Sequence, residues 1–556
     1  MLFNKRGIDM IKKLSFVSVL FMLSVIILST NVFSDDIFMV SAEGQVKLLQ
    51  DLIKKGESVN KKDSDGTTPL MYAANKGKVD VMQLLIKNKA NVNEQNNDGN
   101  TPLMFAAASG NLEAVKLLIK HKANIEQKNK DNDTALSISA FAGSTEIATF
   151  LLQKKADPNI LNNKGLSPLM IAAMQNDYFM AKLLIENNAL INKENKDKLT
   201  AFFIACMYGN INIMKYLASV GADIEKTNSQ GISPLIICSA IGNLETVKFL
   251  VENSQTDINK KDNEGNNALM YSISFLYTDI INKALSLIDE IKNNSEEDKY
   301  EFMKDIREKN PGIPQFLVEK GIDLDATNNN GYNAFIIAIL ENDIEIAKFL
   351  MSKGININQT DNEGNNALLL SIQNSNYNAF NFLINLGMDI NVSNNEEKTP
   401  LMYSLEDGNF DMINVLLSMS NLNVKKTDKN GKNQLMYAAT SSSLIAIRKL
   451  IEAGIDINSK DNSGNTTLMY AVMSGNIATV KTLIELNADI DIKNKKGQTA
   501  QDIAKTYQDI PEYIEIDKYF DSLKEAEIEA AEKEKNKSKT KTKAKNNSQK
   551  NKSKKK

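Results

Sequence analysis

The phrase that opens at Thr68, TPLMYAANKG, returns at Thr101 as TPLMFAAASG, and its first position is held again by Thr134, Ser167, Thr200 and Ser233, each 33 residues further on. Beyond these it falls at Asn267, Asn333, Asn366, Thr399, Asn433, Thr466 and Thr499, with two steps of 34 and one of 66, twice the period. A period this regular leaves few folds open. Each copy is one small unit that cannot bury its apolar face alone, so the copies must stack. All thirteen first positions are Ser, Thr or Asn, whose side-chain oxygen accepts a free backbone N–H at a helix start. Pro follows in five of them (Pro69, Pro102, Pro168, Pro234 and Pro400), where a missing N–H costs nothing. The phrase is therefore a helix opening. A short apolar helix such as PLMYAA follows, then a break at Gly77, Gly110, Gly143, Gly209 or Gly242, then a second helix such as VDVMQLLIK at 79–87. Val79, Met82, Leu85 and Ile86 give that helix one apolar face. A polar link such as NVNEQNNDGN leads to the next cap.

The T-P-L-x-x-A-A phrase at this period, with closing motifs GADI at 221–224, GIDI at 454–457, NADI at 487–490 and KANV at 89–92, resembles the ankyrin repeat over about residues 43–520. The resemblance implies an all-α solenoid of stacked helix-turn-helix units, with β-hairpin loops pointing outward and a concave face. The family's usual His after T-P-L is replaced here by Met71, Met104, Met170, Met270, Met402, Met436 and Met469. Met cannot offer a neighbouring loop the hydrogen bonds of His, so looser inter-repeat loops are expected. Asn132, Lys198 and Glu397 stand where Gly66 and Gly99 stand in other hairpins. Lys and Glu adopt positive φ poorly, so local distortion is expected near the repeats that begin at 200 and 399.

The ends differ from the middle. Residues 1–34 join a basic start, KRGIDMIKK, to the apolar run LSFVSVLFMLSVIIL and a small-residue site before Asp35, which reads as a secretory signal peptide. The expected location is outside the cytoplasm: periplasm, cell envelope or medium. Residues 35–66 read as an N-terminal capping half repeat, 67–266 and 333–520 as repeats with a C-terminal cap, and 267–332 as a degenerate repeat pair or an insertion. Residues 521–556 read as a charged helix followed by a disordered lysine-rich tail. Eleven lysines and no acid occupy 535–556, and the first 34 residues carry +3, so the formal total of −3 conceals a body of −17. An acidic body excludes a nucleic-acid groove along the repeats. The tail is a candidate contact for an anionic surface.

Nothing in the chain reads as catalysis or as a metal or cofactor site. There is one His, His121, in a loop after a second helix, and no nucleophile elbow, phosphate loop or metal-ligand spacing. The two cysteines, Cys206 and Cys238, occupy slots normally held by Ala and read as free core thiols, with a disulfide permitted in an oxidising compartment. The expected function is a non-enzymatic, monomeric protein-binding scaffold, with an envelope-tethered spacer held by the lysine tail as the alternative. The resemblance further implies which residues touch a partner: two at the hairpin tip, one before the cap, and two ending the first helix. In the first repeat these are Ser64, Asp65, Thr67, Asn75 and Lys76, all polar, and late repeats are polar again. In the middle they include Phe141, Met174, Met207, Tyr208, Ile232, Ile241, Phe275, Tyr332 and Leu340, the candidate partner-binding residues. Leu166 and Leu199 fill the same pre-cap slot as Ile232.

Overall fold

The computed structural model describes residues 36–253, 256–274, 312–507 and 509–553, with side chains as far as Lys535. The expected signal segment and Phe275 lie outside the described residues. Among the described residues there are 28 helices and no extended strand, although single antiparallel bridges close the hairpins at Thr360 and Asn366, Thr427 and Asn433, and Lys460 and Thr466. The helices come in pairs, such as Pro69–Asn75 followed by Val79–Lys87. Two compact units, Met1–Asn329 and Asn330–Lys556, are each a stack of such pairs, with first helices packed on first helices and second on second. The core of each stack is the pattern of the phrase itself. Leu70, Met71, Ala73 and Ala74 are fully enclosed, and so are Leu435, Met436, Ala438 and Ala439. The paired alanines let neighbouring first helices approach closely, while the Leu and Met fill the space between layers.

Each first helix starts as its sequence dictates. Thr68 Oγ1 accepts the Met71 N–H at 3.4 Å, and in return the Thr68 N–H reaches Met71 Sδ at 3.4 Å. The same reciprocal pair forms between Thr101 and Met104, Ser167 and Met170, and Thr466 and Met469. The Met that replaces His thus closes a capping box with a weak sulfur acceptor, a bond that Glu or Gln makes in ordinary boxes.

The loops are not looser for lacking His, because asparagine ties them together in three rows. At the hairpin tips the Asn97 N–H donates to Asp65 O at 2.9 Å, Lys130 to Asp98 at 2.9 Å and Asn163 to Asp131 at 2.8 Å. Behind the tips, Asn129 Oδ1 accepts the N–H groups of Asp131 at 3.0 Å and Asp133 at 2.8 Å, which fixes the turn, while its Nδ2 donates to Asn100 Oδ1 of the preceding repeat at 2.9 Å. Asn394 and Asn494 repeat the backward bond, to Asn365 and Asn465, at 3.0 Å each. At the far end of the second helices, Asn60 Oδ1 accepts the Asn91 N–H at 2.8 Å and its Nδ2 donates to Lys89 O at 3.1 Å. Asn93, Asn159, Asn192 and Asn391 make the same two bonds with the repeat that follows. Each neutral bond is worth about 1 kcal/mol net, and a ladder lets every repeat support its neighbour.

Lys198 and Glu397 do adopt left-handed backbone, with φ of +59° and +61°. The expected distortion stops there. Lys198 N–H still donates to Asn195 O at 3.0 Å, Glu397 N–H to Asn394 O at 2.9 Å, and the tip bonds to the next repeat are kept. A side chain in this region costs roughly 1–2 kcal/mol per residue. Lys198→Gly and Glu397→Gly should therefore each raise stability by about 1 kcal/mol in urea unfolding. A fall in stability for both would show that the side chains, rather than the backbone, hold these turns.

Across the double period from Asn267 to Asn333 the ladder bonds continue. Asn329 N–H donates to Glu264 O at 2.9 Å, Asn328 Nδ2 to Asn266 Oδ1 at 3.0 Å, and Asp323 N–H to Asn259 Oδ1 at 2.8 Å. These are the ladder bonds that elsewhere join residues about one period apart, yet here they span 62 to 65 residues. The hairpin near 330 is therefore the direct neighbour of the hairpin near 264. Ala268–Ile273 is the first helix of this repeat, and Ile313–Glu319, which packs on it, takes the second-helix place. Residues 275–311, on which the choice between a degenerate repeat pair and an insertion turns, lie outside the described residues.

Both ends are closed. Ile37–Glu43, capped by Asp36, and Val46–Lys54 form a full helix pair rather than the expected half repeat, with Ile37, Val40 and Leu49 buried. At the other end the helix Pro511–Ser553 lays Ile516 and Phe520 against the last repeat. Gln501 Nε2 donates to Asp517 at 2.8 Å and Asp521 at 2.7 Å. The helix then continues through the lysine-rich stretch read as disordered, because a packed first segment removes the nucleation cost and extension adds one bond per residue.

Candidate functional site

In the first unit, Phe141, Met174, Tyr208 and Ile241 lie at the ends of four consecutive first helices and are each half-buried. At the usual 8–10 Å between packed helices they form a strip of roughly 30 Å. The backbone beneath the strip is held by the following repeats. Gln175 Nε2 donates to Phe141 O at 2.9 Å, and Asn210 Nδ2 donates to Ala173 O at 2.9 Å and Met174 O at 3.0 Å. These bonds satisfy carbonyls that a helix end leaves open, so the apolar side chains stand on a fixed base. Exposed Asp98 and Asp131 lie at hairpin tips of the same unit.

Several expected contact residues are not available. Ile232 is completely enclosed, Leu166 is 2% exposed and Leu199 8%. The pre-cap slot points between neighbouring repeats, as the ladder shows: Asn100, Asn266 and Asn365 in the same slot are also buried and accept bonds from the next hairpin. Leu and Ile fill that interior place with apolar volume. Met207, 6% exposed, belongs to Ala201–Met207, which is buried along its whole length between its two neighbours. Tyr332 and Leu340 are half-buried but belong to the second unit, so they are not part of the strip.

The second unit carries a different surface, which the sequence reading missed. Lys398 and Lys432 occupy the pre-cap slot, and each is long enough to emerge and lie over tyrosines of two repeats. The Lys432 ammonium is 3.9 Å from the centre of the Tyr437 ring and 4.7 Å from that of Tyr470. Lys398 lies 5.2 Å from Tyr403 and 5.8 Å from Tyr437, and pairs with Glu406 at 2.7 Å. Burial pulls the Lys432 ammonium below its ordinary pKa, against the pull of Glu406 and Asp428. At Lys398 burial, the largest single influence, acts the same way, but the bond to Glu406 and the charges of Glu406 and Asp428 together outweigh it and the pKa is raised. The signal was present as K-T-P-L-M-Y at 398–403 and K-N-Q-L-M-Y at 432–437. These cations are already engaged, which makes the row a brace between repeats.

Beneath it, Tyr437 donates its hydroxyl to Asp428 at 2.8 Å and Tyr470 to Asp461 at 2.7 Å, as Tyr72 does to Asp63 at 2.8 Å in the first unit. Burial first, then the bond to the aspartate, holds all three hydroxyls well above the ordinary tyrosine pKa. A folded-state pKa above the unfolded value means that the stabilisation is complete below the unfolded tyrosine pKa of about 10 and is lost as pH rises beyond it. Unfolding midpoints should fall above about pH 10, and less steeply in a variant carrying both Tyr437→Phe and Tyr470→Phe. An identical alkaline slope in that variant would remove the tyrosines as its cause.

His121 closes the second helix Leu112–Lys120 and is exposed. Among the described residues no three His, Cys, Asp or Glu side chains are grouped to hold a metal ion, and no helix is long and apolar enough to cross a membrane. The model of the family described as ankyrin repeats (three copies) matches the chain at residues 37–129, 136–228, 202–297, 302–394, 356–428 and 401–494. No curated protein has a matching sequence.

Proposed function

The chain belongs to the ankyrin-repeat family, and from that premise we propose that it is a non-enzymatic scaffold that binds a protein partner on the strip Phe141, Met174, Tyr208 and Ile241. Ankyrin repeats are in general protein–protein interaction modules, and the family is typically non-enzymatic. The observation that carries the specific reading is the strip itself: four large apolar side chains, half-open to solvent, on the first-helix ends of four successive repeats, where flanking repeats present Lys76, Ser109 and other polar residues. Apolar and aromatic residues clustered within a polar surround are what protein interfaces are made of. The body's charge of −17 favours a partner with basic flanks through long-range attraction. The signal-like pattern of residues 1–34 supports a location outside the cytoplasm.

The test is a photo-reactive amino acid at Tyr208, compared with the same group at Phe179, which is 73% exposed on a second helix. A protein cross-linked from 208 and absent from 179 supports the strip; equal yields from both positions would count against it. The alternative, a spacer tethered by its lysines, draws support from the helix that runs on past the last repeat to Ser553. Removal of residues 535–556 separates the two: the scaffold keeps its partner, whereas the spacer loses its retention in the envelope fraction.

A further inference from the structure

The two cysteines lie on neighbouring first helices that pack against each other, Cys206 in Ala201–Met207 and Cys238 in Pro234–Ile241, and neither is exposed at all. Their places in the repeat differ by one. Cys206 is the sixth residue after its cap Thr200, and Cys238 the fifth after Ser233. Those two places are the alanine pair of other repeats, Ala73 and Ala74, Ala106 and Ala107, Ala172 and Ala173, through which adjacent first helices touch. The offset puts one thiol on each side of the same contact, where Cys238 adds to the burial that raises the Cys206 thiol. Burial raises the Cys206 thiol pKa, so within the closed stack the pair is protonated and shielded from reagents.

We propose that Cys206 and Cys238 are a redox clamp, joining in a disulfide that pins the Thr200 repeat to the Ser233 repeat directly under Tyr208 and Ile241. Tyr208 follows Cys206 by two residues and Ile241 follows Cys238 by three, so the bond fixes the separation of two members of the strip. The clamp goes beyond the binding reading, and it rests on the export reading only for the compartment in which it is set. The oxidant is a disulfide donor, either glutathione disulfide or a thiol–disulfide oxidoreductase. One cysteine thiolate attacks the donor's disulfide and releases one donor thiol. The other then attacks the mixed disulfide and releases the second. Two protons leave the protein and two electrons pass to the donor's sulfurs. Because both sulfurs are enclosed, the exchange takes place during folding or when these two repeats part, and the finished bond is sealed inside.

The experiment refolds the full chain from a reduced, denatured state with glutathione disulfide in one arm and excess reductant in the other. The oxidised arm should lose two hydrogens in intact mass and show no thiol that reacts with maleimide after denaturation. Its thermal midpoint should rise by at least about 2 °C and return on reduction. Cys206→Ala and Cys238→Ala place the residue type of other repeats in each slot, should fold, and should show no such rise. Two thiols still reactive after oxidative refolding, or glutathione added without closure, would overturn the clamp. Because the readout is a bond in the purified chain, failure here leaves the binding and export readings standing, and their failure leaves the bond intact.

Discussion

Asp428→Ala is expected to destabilise the second unit by about 3 kcal/mol, a large effect for one side chain. Asp428 is 5% exposed and serves three donors at once: its Oδ1 accepts the N–H groups of Asn430 at 2.9 Å and Lys432 at 2.8 Å, and its Oδ2 accepts the Tyr437 hydroxyl at 2.8 Å. Alanine strands all three, and Tyr437 is itself only 3% exposed. A stranded buried donor costs about 1–3 kcal/mol. Asp428→Asn should cost only about 1 kcal/mol, because asparagine keeps the two backbone bonds and can donate to the tyrosine oxygen. Asn394 already does this, giving its Nδ2 to Tyr403 Oη at 2.8 Å. Hydrogen exchange at the hairpin amides of Asn430 and Lys432 reads the difference directly. Equal protection of these amides in the alanine and asparagine variants would mean that their bonds to the side-chain oxygen contribute nothing.

The same pairing shows what could be seen in the sequence and what could not. Asp stands nine residues before the Tyr of the phrase in Asp63 and Tyr72, Asp262 and Tyr271, Asp428 and Tyr437, and Asp461 and Tyr470. Asn stands there before Phe105, Ile138 and Ile171, with Asn394 and Asp361 as the departures. The rule is legible only once the fold puts the hairpin beside its own first helix. Caps, breaks and the two apolar faces could be read directly, since they depend on residues within one turn of each other. The ladders could not, because Asn60 and Asn91 meet only when repeats stack.

The burial of the pre-cap slot has the same origin. Leu166, Leu199 and Ile232 were placed on the contact face by their slot, whereas that slot is interior to the ladder and only a long side chain such as Lys398 or Lys432 emerges from it. Residues 267–332 keep the phase of the period, so from sequence an insertion is indistinguishable from a repeat that has lost its phrase. Only hydrogen bonds such as Asn328 to Asn266 reveal which hairpins are neighbours.

Phe141, Met174, Tyr208 and Ile241 changed together to Ser should weaken binding of the partner captured at position 208 by at least about 100-fold. Large apolar and aromatic anchors at the centre of an interface commonly carry 2 kcal/mol or more each, so four of them dominate an ordinary affinity. The fold should survive, since each side chain is half-open and the helix ends beneath them are held by Gln175 and Asn210 rather than by the strip. The measurement to make is the dissociation constant of that partner for the full chain and for the four-serine variant, with circular dichroism confirming equal helix content. A 100-fold or greater loss in a folded variant places the binding function on the first unit's strip. Unchanged affinity in a folded variant would contradict it.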